Sequence, residues 1–131
     1  SITIVNRSRE KAQLLANDFA DIFSVAVTSY PELNNSDDLG SYDLIINASS
    51  ASLSGQLPDL PDHIVDKNSR CYDLMYAKEL TPFLFWAEAK GCVFISDGLG
   101  MLVCQGAESF FIWRGVKPKT AEVIRQLRHL L

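Results

Sequence analysis

The sequence predicts an α/β fold, a doubly wound and mainly parallel sheet with helices on both faces, and three observations carry that prediction. Short apolar runs rich in β-branched residues recur along the chain, at 2–5, 25–27, 42–47, 70–74 and 92–96. Stretches with helical spacing or helix-capping signals lie between most of them, the arrangement that parallel strands joined by crossover helices require. Four of the runs end on polar or glycine-containing tips, where sheets of this kind bind ligands. At 131 residues, 47% of them hydrophobic and 21% charged, the chain has the size of one ordinary globular domain spanning residues 1–131.

Each element has a local reason. Ile2-Thr3-Ile4-Val5 reads as a buried strand that runs into Asn6-Arg7-Ser8, with Ser8 placed to cap a helix from Arg9 to Phe19. Ala12, Leu15, Ala16 and Phe19 fall on one face of that helix and are its expected buried side. A strand near Val25-Ala26-Val27 and one helical turn at Tyr30-Pro31-Glu32-Leu33 follow, then a polar connection from Asn34 to Ser41. Tyr42 to Asn47 is the third strand, Ala48 to Gly55 a small-residue loop, and Arg70 to Leu74 the fourth strand. Thr81-Pro82 places a cap and a first-position proline at the start of a helix that Gly91 should end. Cys92 to Ser96 is the fifth strand. A helix from Leu99 to Arg114, stopped by Gly115, and an amphipathic helix from about Thr120 complete the order, the latter with Val123, Ile124, Leu127 and Leu130 on one side.

Composition narrows the function classes. Twelve Lys and Arg against sixteen Asp and Glu leave a net charge of −4, which disfavours nucleic acid as a partner held on a broad basic surface. No apolar run approaches the roughly 18 residues needed to cross a bilayer, and the first residues lack an export pattern, so no membrane partner and a cytoplasmic location are expected. Cys71, Cys92 and Cys104 lack paired metal spacing and are expected to be buried free thiols, with no metal site. His63 and His129 have no Ser, Cys or carboxylate at motif spacing and are expected at the surface. Asp73 and Asp97, at strand ends, suit acid–base work or ordinary turn and capping roles, and the latter is commoner for Asp.

The tips carry the specific chemistry. After the second strand of a dinucleotide-binding fold, an acid bonds the ribose hydroxyls of NAD, whereas an Arg accommodates the 2′-phosphate of NADP. Here the tip is Asn6-Arg7-Ser8, with Lys11 one turn further on and the helix N-terminus adding positive potential. The same residues also fit a solvated helix start without a ligand. Gly98-Leu99-Gly100-Met101-Leu102-Val103 follows a strand and opens a helix, but Val103 stands where a third small residue is needed. It is therefore not the pyrophosphate loop, and its glycines are expected to let backbone approach some other part of a ligand.

Taken together, these tips resemble the nucleotide-binding half of the shikimate dehydrogenase family. The pieces are Asn6-Arg7-Ser8 with Lys11, Ile46-Asn47-Ala48-Ser49-Ser50, Tyr72-Asp73-Leu74-Met75-Tyr76 with Thr81-Pro82-Phe83-Leu84, and Asp97-Gly98-Leu99-Gly100-Met101-Leu102-Val103 with Gln105. The resemblance implies a Rossmann-like fold and NADP as cofactor. It assigns Asn6, Arg7, Ser8 and Lys11 to the adenosine 2′-phosphate, Ser49 and Ser50 to the ribose and diphosphate, and Leu74, Gly98 and Met101 to the nicotinamide. Tyr76 and Gln105 would reach shikimate or 3-dehydroshikimate, interconverted by hydride transfer. Ser49 replaces the usual Thr, Ser52 stands where several members have Gly, and Lys78 where many have Pro.

No residue of this chain matches the family's catalytic Lys and Asp, which the resemblance places in a preceding substrate domain. The family's first Rossmann strand and glycine-rich loop also have no counterpart here. The chain is therefore expected to be a C-terminal fragment, inactive alone, with an incomplete sheet. In the strand order 3-2-1-4-5-6, loss of strand one leaves two open edges and predicts self-association. A non-enzymatic NADP-binding module and a quinate-using paralogue are the alternative functions.

Overall fold

The computed structural model describes residues 1–36 and 40–131, so part of the expected polar connection from Asn34 to Ser41 lies outside the described residues. The chain forms two compact units. The first comprises residues 1–40 and 59–64, and the second residues 41–58 and 65–131.

In the first unit, β1 (Ile2–Val5) and β2 (Val25–Thr28) pair in parallel, Ile2 against Val25 through Val5 against Thr28. Helix α1 (Arg9–Asp18) makes the crossover between them. Ala12 and Ala16 are buried as the helical spacing predicts, but Leu15 and Phe19 remain about half exposed. A two-stranded sheet offers one helix too little apolar surface to cover a full stripe of large side chains. The short helix α2 (Tyr30–Asn34) begins with a reciprocal capping box. The Ser29 hydroxyl accepts from the Glu32 amide, and the Glu32 carboxylate accepts from the Ser29 amide at 2.9 Å. These bonds, with Arg9 beside it, hold the Glu32 carboxyl below its usual range. Leu33 is buried below this turn. His63, expected at the surface, is half-buried in the turn Asp62–Ile64, and its Nε2 is buried without a hydrogen-bond partner.

In the second unit, β3 (Leu44–Asn47), β4 (Arg70–Asp73) and β5 (Phe94–Ser96) form a parallel sheet in the order β3-β4-β5. The register aligns their carboxyl ends, with Asn47 opposite Asp73 and Tyr72 opposite Ser96. Helix α3 (Pro82–Ala89) is apolar nearly all round and supplies the centre of the core. Phe83, Leu84, Trp86 and Ala87 are buried, and the Phe83 and Trp86 rings meet at 5.8 Å between centroids. Cys71 and Cys92 are buried in the same core. Helix α4 (Leu99–Arg114) ends at Gly115, whose φ of 71° is the left-handed conformation that a C-terminal glycine tolerates. Cys104, on α4, is exposed, contrary to its expected burial: an apolar neighbourhood in sequence does not fix which helix face a residue occupies. Helix α5 (Ala121–Leu130) half-buries Ile124 and Leu127 while Val123 and Leu130 stay exposed.

Candidate functional site

The chemistry-bearing residues fall into two groups, one in each unit. In the first unit the backbone leaves β1 at Asn6 and turns at once into α1. The Asn6 side chain fixes that turn, its Oδ1 accepting from the Ser8 amide at 3.1 Å. Ser8 occupies the N-cap position in an extended conformation, yet its hydroxyl makes no capping bond and points instead to Glu10, 3.3 Å away. The amides of the first turn of α1 thus have no side-chain cap, the condition under which a helix N-terminus attracts an anion. Of the basic residues here, Arg9 is taken up by an ion pair with Glu32. Arg7 and Lys11 are exposed and form no ion pair among the described residues. The sequence already sets Arg7 and Lys11 apart; the fold adds that Arg9, between them, is engaged by Glu32.

In the second unit the end of β3, the loops after β3 and β4, and the start of α3 converge on one buried carboxyl group. Asp73, fully buried, accepts from the Thr81 hydroxyl at 2.6 Å, the Ser52 hydroxyl at 2.8 Å, the Met75 amide at 3.0 Å and the Asn47 side-chain amide at 3.2 Å. Burial of an acid is tolerated because these four donors replace water. Acid–base work is not what this arrangement equips Asp73 to do. It ties the loop after β3, the loop after β4 and the start of α3 to a single point. Replacing Asp73 with Ala orphans several buried donors at once and is expected to cost about 3 kcal/mol, measured as a lower denaturation midpoint.

Asn47 works from the other side of this network. Its Oδ1 accepts from the Ser49 hydroxyl at 2.7 Å and the Ser49 amide at 3.1 Å, and its amide also donates to Ser52 at 3.1 Å. Ser49 is therefore engaged in shaping its own loop, whereas Ser50 is exposed beside it. Ser52, which departs from the family's frequent Gly, adds the bond to Asp73. Leu74 is half-buried, its amide bonded to the Asn47 carbonyl at 3.0 Å.

Gly98 joins the β4 and β5 ends. Its amide donates to the Met75 carbonyl at 3.0 Å, and a Cβ at this position would lie 2.6 Å from the Leu74 carbonyl carbon and closer still to its oxygen. The expected close approach is therefore present, but toward the chain's own backbone. Gly100 has open space around it. Met101 and Gln105 are exposed on α4, and Tyr76 is 37% exposed on the loop after β4.

Asp97, the other strand-end acid, takes the capping role: its Oδ1 accepts from the Leu99 amide at 3.3 Å. Burial and the neighbouring Cys92 push the Cys71 thiol up to about 12, so it holds its proton and is no nucleophile. Among the described residues, no three His, Cys, Asp or Glu side chains are grouped to hold a metal. No described helix is long and apolar enough to cross a membrane.

Residues 98–128 match the family model described as the Shikimate 5'-dehydrogenase C-terminal domain. The chain is 43% identical over 130 residues to a shikimate dehydrogenase (NADP(+)) of Cellvibrio japonicus, covering 99% of this chain and 46% of that protein. It is related to the C-terminal part of shikimate dehydrogenase. Two solved structures share the fold. An Ael1 enzyme from Pseudomonas putida superposes with a TM-score of 0.84 at 42% identity, covering 95% of this chain and 44% of that one. A shikimate dehydrogenase crystallised with NADP+ superposes with a TM-score of 0.76 at 29% identity, covering 96% and 45%. The Rossmann-like α/β class expected from the sequence is thus the observed one. The chain spans just under half the length of the shikimate dehydrogenases it matches.

Proposed function

We propose that this chain is the NADP-binding, C-terminal part of a shikimate dehydrogenase, which reduces 3-dehydroshikimate reversibly to shikimate in the cytoplasm. The observation that supports it best is the pair of exposed cations, Arg7 and Lys11, which form no ion pair among the described residues, at an uncapped helix N-terminus directly after a strand. That arrangement fits a phosphate dianion, and it lies within a chain matched over nearly its whole length by enzymes named for NADP(+).

Asn6, Arg7, Ser8 and Lys11 would hold the 2′-phosphate. Ser50 and the Ser49 loop, kept in shape by Asn47, would line the ribose and diphosphate. Leu74, Gly98 and Met101 would border the nicotinamide, a reading supported by the Asp73–Met75 and Gly98–Met75 bonds that hold the segments carrying Leu74 and Gly98 together. NADPH, when bound, supplies the hydride that turns the carbonyl into an alcohol. Tyr76 and Gln105 would orient the substrate against it.

The decisive assay follows NADP+ reduction with shikimate in the natural full-length protein. Absence of shikimate-dependent turnover there would overturn the proposal. The isolated 131-residue chain should show no turnover. Among the described residues β1, β2, β3 and β5 each pair on one side only, so the chain should also sediment as more than a monomer. In the full-length protein, Gln105→Ala should raise KM for shikimate by about tenfold, the worth of one hydrogen bond to substrate, with NADPH affinity within about twofold of wild type. Weakened NADPH binding with unchanged shikimate kinetics would move Gln105 out of the substrate site.

A further inference from the structure

Arg128 is the one α5 residue among those described that hydrogen-bonds through its side chain beyond its own helix. Arg125 and Gln126 both turn back to Glu122 within α5. The Arg128 guanidinium instead reaches the ends of two strands. Its Nη2 donates to Asp97 Oδ1 at 2.5 Å, and its Nη1 donates both to Asp97 Oδ2 at 2.7 Å and to the Ala77 carbonyl at 3.2 Å. A planar fork matches the two carboxylate oxygens bidentately and still offers an N–H to the neighbouring carbonyl. The two loops it spans also touch directly through the Gly98–Met75 bond. They bound a cleft of about 390 Å³ lined by Ala77, Leu80, Leu84, Ser96, Asp97 and Arg128, among others.

Position gives this contact its consequence. Ala77 directly follows Tyr76, and Asp97 caps the first turn of the helix that carries Met101 and Gln105. We propose that Arg128 is a positioning residue that locks the Tyr76 loop against the start of α4 and so sets the substrate-facing geometry. This inference rests on the substrate side assigned under the proposed function. Asp97 is 13% exposed but Arg128 42%, so solvent screens the pair and its contribution to global stability is modest. The constraint acts locally, on the two loops.

The test uses Arg128→Ala, Arg128→Lys, Asp97→Asn and the Arg128→Ala/Asp97→Asn double variant in the natural full-length protein. Arg128→Ala should raise KM for shikimate about fivefold and leave the NADPH Kd within about twofold, since a lost positioning contact acts on one ligand only. Arg128→Lys should recover less than half of this, because an ammonium cannot form the fork. The double variant should be no worse than the poorer single one, as expected for two partners in one interaction. Amide exchange at Gly98 and Leu99 should speed about tenfold in Arg128→Ala, a readout independent of any substrate. Unchanged exchange overturns the inference even if the wild type oxidises shikimate. Faster exchange with no shikimate turnover in the wild type supports the lock and sinks the proposed function instead. Additive effects in the double variant, or equal losses for NADPH and shikimate, would likewise overturn it.

Discussion

Arg7→Ala is expected to weaken NADP binding about 10- to 150-fold while changing NAD affinity by less than about twofold. The lower and upper bounds correspond to one charge-assisted hydrogen bond of about 1.5–3 kcal/mol, and the 2′-phosphate is the only group that differs between the two cofactors. Arg7 is expected to be the larger contributor, because its planar fork can bond two phosphate oxygens at once. Arg9 is held by Glu32, and Glu32 is fixed by the Ser29 capping box, so Arg9 is not free to substitute when Arg7 is removed. Lys11 remains, as a point charge without a fork, and should retain part of the preference. Fluorescence titration of NADPH and NADH against the full-length protein measures both affinities. Equal losses would show that Arg7 does not contact the 2′-phosphate. The phosphate term should shrink at high ionic strength because the site is exposed, so the selectivity ratio should fall as salt rises.

Much of the fold was legible because its signals are local. Thr81-Pro82 and Gly91 bracket α3, and Gly115 stops α4, since caps and left-handed glycines act within a few residues. The alternation of strands and helices was likewise enough for the parallel class. Burial was less legible. The spacing of Leu15 and Phe19 states which helix face they share but not whether anything covers it, and two strands cover too little. Asp73 shows a subtler limit. A sequence presents an Asp at a strand end, and only the fold brings it donors from Asn47 and Ser52, more than twenty residues away, and from Thr81 beyond the next loop. The Asp97–Arg128 pair, 31 residues apart, carried no sequence signal at all. Reading the tips did single out Arg7, Lys11 and Gly98 from residue type at a strand end; the structure shows the two cations exposed and Gly98 packed against the Leu74 backbone.

Gly98→Ala is expected to be the most damaging single change in the second unit. The added methyl would meet the Leu74 carbonyl carbon at 2.6 Å, where ordinary contact begins at about 3.4 Å, and both partners are backbone atoms that cannot rotate away. Either the end of β4 or the start of α4 must move on the order of 1 Å, a displacement that can cost about 100-fold in rate when it falls on groups that orient reactants. Leu74 and Met101, the proposed nicotinamide borders, lie on the two segments being forced apart. We therefore expect kcat/KM for shikimate to fall about 100-fold and stability to fall by about 3 kcal/mol. Gly100→Ala is the control. Its Cβ would meet no protein atom within 4 Å in the first turn of the same helix, and replacing Gly by Ala there should leave the spacing of β4 and α4 unchanged and stabilise α4 by a few tenths of a kcal/mol up to about 1 kcal/mol. Measuring both variants by steady-state kinetics and denaturation separates a need for glycine at one backbone contact from a general need for flexibility in the loop. Wild-type kinetics in Gly98→Ala would show that β4 and α4 are not held at the spacing described here. Equal damage from both substitutions would show that the loop, and not its contact with Leu74, is what the glycines serve.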